Sequence, residues 1–172
     1  MKTRAITVLC AVFVLGFAAA VHAQLIAGSP EDRAFTKIEQ ENNIDSRITL
    51  LLDFEKQFPQ SKALSDVYRL LEECYQKKDD SAKIVEVGER AIKHNPDDVD
   101  ALVNVSYNLG ITQRQQLDKA AAYAQRAVDA VAKLRNQPAP PWIGDDQAWK
   151  QHLASREAFA KQILEYVKGA RK

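Results

Sequence analysis

Phe58-Pro59 and Asn95-Pro96 close two helical stretches 37 residues apart, and Ala91 and Ala127 stand 36 residues apart at corresponding places. A period of this size, with turns falling at the same phase, points to a stack of like supersecondary units rather than one irregular core. Each unit would be a pair of helices, because apolar residues recur three and four apart throughout. No stretch alternates with period two for long enough to argue a strand.

The helices and their stops can be read in order. Ser29-Pro30-Glu31-Asp32 opens the first with a capping hydroxyl, proline in the first turn and acids at the positive end of the dipole. It is expected to end near Gln40 to Asn42. The second carries Ile44, Ile48, Leu51, Leu52 and Phe58 on one stripe and ends at Pro59. A third is expected to open at Ser61 and to bury Leu64, Tyr68, Leu71 and Tyr75, until Lys77-Lys78-Asp79-Asp80 breaks it. Ile84, Val85, Gly88, Ala91 and Ile92 make the fourth amphipathic. The fifth is expected over Val99 to Leu109 with Gly110 as its stop. The sixth, near Leu117 to Leu134, is rich in alanine, which permits close approach by a neighbour. Asp145 caps a last helix running to about Lys168.

Residues 65–98 match the tetratricopeptide pattern of about 34 residues, with Tyr68, Leu71 and Tyr75 in the first helix, Ala91 in the second and Pro96 closing the unit. A second copy follows from Val99, with Leu102, Val105, Ser106 and Leu109, then Ala120, Ala124 and Ala127. A degenerate copy precedes both, with Phe54 and Pro59 at the places of Ala91 and Pro96. The chain therefore resembles the tetratricopeptide repeat family, in the form of an exported bacterial-type member, over roughly Ser29 to Arg135. Three residues depart from the family pattern: Glu72 stands for a small residue, Ile84 for an alanine and Gly88 for a bulky aromatic. They trade small for large and large for small.

The resemblance implies an all-α fold of antiparallel helix hairpins, six to seven helices stacked as a short right-handed superhelix. Its first helices would line a concave face that binds a protein or peptide. Partner-facing positions would be Asp66, Arg69, Glu73 and Gln76 in the better-matched copy, and Asp100, Val103, Asn104 and Tyr107 in the next. Asn104 and Asn108, four apart, offer side-chain amides to an extended peptide backbone. The cationic clamp with which some members grip a C-terminal carboxylate is not expected, because Asp66, Arg69 and Glu73 are of mixed sign. Trp142 is expected either to dock on the last hairpin or to stand exposed as a partner anchor.

Chemistry is hard to place in this chain. Beyond residue 23 only His94 and His152 remain, neither with a His or Cys three or four residues away, so neither a metal site nor another cofactor is expected. Cys74 lies in an apolar helical pattern, which raises a thiol pKa. Most of the paired acids sit at helix starts, where they cap backbone N–H groups. There is no glycine-rich phosphate loop and no serine nucleophile elbow. The expected protein is not an enzyme.

The N-terminus adds an address. Lys2 and Arg4 precede an uncharged run from Ala5 to Val21, and Val21-His22-Ala23 offers a small-residue cleavage site, the three parts of a signal peptide. The expected organisation is a signal over 1–23, a helical repeat domain over 24–137, a Pro-rich linker over 138–144 and a C-terminal capping helix over 145–172. Export would place the protein in the periplasm or outside the cell; an uncleaved segment anchored in the inner membrane is the alternative. Without Lys2 and Arg4, 22 basic residues face 23 acidic ones, which gives no electrostatic reason to bind nucleic acid. The expected role is a scaffold or adaptor for a protein or peptide, with self-association into a structural assembly as the other possibility.

Overall fold

The computed structural model describes residues 25–170; the expected export signal over 1–23 lies outside them. The fold is all-α and repeat-like, with seven α-helices and no strand among the described residues. The helices are α1 (Pro30–Gln40), α2 (Ile44–Gln57), α3 (Leu64–Lys77), α4 (Ser81–His94), α5 (Val99–Tyr107), α6 (Leu117–Leu134) and α7 (Asp146–Ala170).

Side-chain caps set most of the starts by answering amide groups that have no partner within the helix. Ser29 accepts from the Asp32 amide at 3.1 Å, Asn43 from Ser46 at 3.0 Å and Asp80 from Lys83 at 3.0 Å. Asp98 accepts from Ala101 at 3.1 Å, and Asp145 from Ala148 at 2.8 Å. The helix expected to open at Ser61 opens at Leu64 instead. The Ser61 hydroxyl is engaged one step earlier, accepting from the Ala63 amide and shaping the turn. Between α3 and α4 the chain reverses through Asp79 in the left-handed region, φ 54°. The Asp80 amide returns to the Tyr75 carbonyl at 3.0 Å, closing the helix end.

Gly110 does not stop α5. The chain continues through a wide turn over Asn108–Thr112 with a π-helical bonding pattern. Gly110 is buried there for a packing reason: a Cβ on it would stand 3.1 Å from both Ala120 Cβ and Val167 Cγ2. Leu52, read as part of the buried stripe of α2, is exposed, and Phe54 takes the inward place.

Consecutive helices pack on each other along the whole chain, so α1–α2, α3–α4 and α5–α6 form hairpins joined by α2–α3, α4–α5 and α6–α7 contacts. α7 also lies against α5. The alanines of α6 (Ala120, Ala124, Ala127, Ala130) are buried and let its neighbours close in. In that seam the fully buried Ser106 hydroxyl donates to the Ala120 carbonyl at 2.8 Å. Across α2, α3 and α4, Glu55 accepts from the Tyr68 hydroxyl at 3.0 Å and from Arg90 at 2.5 Å. Burial first, then the Glu55 hydrogen bond, pushes the Tyr68 hydroxyl up to about 12. Among the described residues, no helix is long and apolar enough to cross a membrane.

Candidate functional site

Alternate helices α3, α5 and α7 place polar residues on a common face, and between them lies a pocket of about 530 Å³. From α3, Asp66, Arg69, Glu73 and Gln76 line it, spaced three, four and three apart. From α5 come Asp100 and Asn104, and from the turn before it Asp97 and Asp98. From α7 come Trp149, His152 and Arg156, again one helical face, while Pro138, Pro140, Pro141 and Trp142 form a strap along the remaining side. Pro140 sits at φ −66°, ψ 151°, an extended polyproline-like conformation. Gly144, at φ 93°, then turns the chain into α7.

Six of the eight expected partner-facing residues are thus brought together: Asp66, Arg69, Glu73, Gln76, Asp100 and Asn104. Two are not. Val103 is fully buried, because it lies on the side of α5 turned into the core. Tyr107 is part-exposed, but its ring rests on Phe159 of α7 at 5.5 Å, away from the pocket lining. Nor are the amides of Asn104 and Asn108 free for a peptide. Asn104 donates to Glu72, and Asn108 donates to the Asn104 carbonyl at 2.8 Å.

Asp100 organises the α5–α7 side. His152 Nε2 lies 2.9 Å from one carboxylate oxygen, and Arg156 Nε lies 2.6 Å from the other. Burial opposes the charge of Asp100, but His152 and Arg156 outweigh it and hold the carboxyl below its usual range. The His152 ring stacks on Trp149 at 5.7 Å and meets the edge of Trp142 at 5.4 Å. Trp142 also carries the Arg69 guanidinium over its ring at 5.5 Å. Arg69 in turn reaches Glu73 at 2.6 Å and Asp66 at 3.4 Å. Trp142 therefore both docks and remains part-exposed, linking the strap to α3 across the pocket.

Glu72 belongs to the same lining but was legible in the sequence only as a departure from the repeat pattern. It is 4% exposed. Oε2 accepts from Asn104, and Oε1 has no hydrogen-bonding partner. Burial, reinforced by the nearby acids Asp98 and Asp100, pushes its carboxyl up to about 8 against the opposing Asn104 hydrogen bond. Burial likewise raises Asp98, the N-cap of α5. Trp149, His152 and Arg156 were also unread as site residues, since nothing near them in sequence announces their partners. Elsewhere, burial raises the thiol of the free Cys74. Among the described residues, no group of His, Cys, Asp and Glu is arranged to hold a metal ion.

No protein-family model matches the chain, and no curated protein matches it in sequence.

Proposed function

We propose that this protein is an exported, non-catalytic adaptor of the tetratricopeptide type, which holds a segment of another protein in the groove between α3, α5 and α7. One observation carries the reading: alternate helices of successive hairpins converge on a single pocket of about 530 Å³, within the range of roughly 300–1,000 Å³ common for binding sites. The pocket offers aromatic faces and polar groups together, the mixture that suits a peptide. The ionised side chains on its walls pair mainly with one another, as Arg69 does with Glu73 and Arg156 with Asp100. That arrangement favours a rigid receptor over a catalyst. The export reading rests on the sequence of residues 1–23 alone.

Photo-crosslinking in the producing cell tests the groove. A photoreactive residue in place of Gln76, exposed at the pocket, is expected to capture a protein partner. The same group in place of Asp129, exposed on α6 and outside the pocket lining, is expected to capture none. Capture from Asp129 but not from Gln76 would place the binding surface elsewhere.

A further inference from the structure

The carboxyl groups of the pocket outnumber its cations, and both guanidinium groups are already engaged. Arg69 is held by Glu73 and Asp66, and Arg156 by Asp100. Among the described residues, Glu72 and Asp98 have no cation in ion-pair contact. Glu72 is almost wholly buried, and its Oε1, beside Gly88, has no hydrogen-bond donor among the described residues, a condition that native structures seldom leave unanswered. On the opposite wall the rings of Trp142 and Trp149 meet edge to face at 6.4 Å. That wall already attracts a guanidinium, as Arg69 over Trp142 demonstrates.

Building on the groove reading above, we infer that the pocket takes a lysine or arginine side chain of the partner segment, its charged end directed to Glu72 and Asp98 and its stem laid along the tryptophan wall. A long basic side chain matches both halves of this lining, an apolar stem for the rings and N–H donors for the acids. The raised carboxyls of Glu72 and Asp98 fit the same picture: burial outweighs the pull of Arg156 on the first and of Arg69 on the second, and an incoming cation adds to that pull.

The two tryptophans of the chain, Trp142 and Trp149, both line the pocket, so the emission of the purified protein reports on its occupancy. Four alanine-serine peptides, differing only in a central lysine, arginine, norleucine or glutamate, are titrated against that emission. The lysine and arginine peptides are expected to bind saturably, and the norleucine peptide at least about tenfold more weakly, the worth of a desolvated charge contact. Glu72→Gln and Asp98→Asn, which keep shape and cap, are each expected to weaken the basic peptides severalfold while the circular-dichroism melt stays cooperative. Equal binding of norleucine, or tighter binding of glutamate, overturns the inference and leaves the groove standing. Silence with all four peptides, alongside capture from Gln76, does the same. Silence together with no capture from Gln76 removes both.

Discussion

The carboxyl group of Glu72 occupies the space that Gly88 leaves open, for a Cβ built on Gly88 would stand 3.0 Å from Glu72 Oε1 and would collide with Val105 Cγ2. A large residue on α3 and the smallest possible one on α4 thus settle a single piece of volume between them, with α5 closing the third side.

Gly88→Ala is therefore expected to destabilise the fold by about 1–3 kcal/mol through overpacking, although alanine favours a helix interior by about 1 kcal/mol over glycine. Urea unfolding followed by circular dichroism measures the loss. Combining it with Val105→Ala should give a double mutant more stable than the sum of the two single losses. Strict additivity would mean that the two side chains do not compete.

Glu72 gives the fold a pH dependence of definite sign. Its native carboxyl, raised to about 8 from an ordinary 4.5, binds a proton more tightly folded than unfolded. The associated stability is complete below the lower value and is lost as pH rises through the higher one. Glu72→Gln should thus become progressively more stable than the parent from about pH 5 to about pH 9, by an amount on the order of a few kcal/mol. Equal denaturation midpoints at pH 5 and pH 9 would refute the assignment.

Asp100 ties the start of α7 to α5. Its replacement by alanine leaves Arg156 and His152 without their shared acceptor and should cost about 2–4 kcal/mol, in the manner of a broken part-buried pair. Tryptophan emission should shift to the red as Trp149 loses the stacked His152 and Trp142 its edge contact with the same ring. Because Asp100 is held below its usual range, its contribution is present above the ordinary carboxylate value near 3.8 and disappears as pH falls through the lower native value. Asp100→Ala should accordingly narrow its deficit in acid, which unfolding titrations between pH 2 and pH 7 can follow.

The alanine seam of α6 has no slack. Ala124→Leu, at a wholly buried position, is expected to cost about 1–3 kcal/mol or more. Ala122→Leu, on the exposed side of the same helix, should stay within about 0.5 kcal/mol of the parent. Thermal melts of the pair provide the comparison.

The helices were legible because their punctuation is local: Ser29, Asn43, Asp80, Asp98 and Asp145 cap amides three residues away and act almost alone. Where a boundary depends on packing, the reading slipped. Gly110 looked like a stop, yet its lack of a side chain serves Ala120 and Val167, residues brought near only by the fold. The α3 face of the pocket followed from the resemblance to the repeat family, whereas Val103, implied by the same resemblance, is buried because the phase of α5 about its axis is fixed by what packs on it. His152 was invisible as a site residue: its partner Asp100 lies 52 positions earlier, and no periodic pattern connects them.

The strap and α7 furnish one wall of the pocket, and they are the last parts of it to be synthesised. A ribosome or export channel that has released the chain only as far as α6 has released Asp66, Arg69 and Asp100 without Trp142, Trp149 or Arg156. The nascent protein at that stage holds only part of the pocket lining, and a chain cut short there would lack the tryptophan wall even if its hairpins folded. Completion of the chain is thus itself the event that closes the pocket.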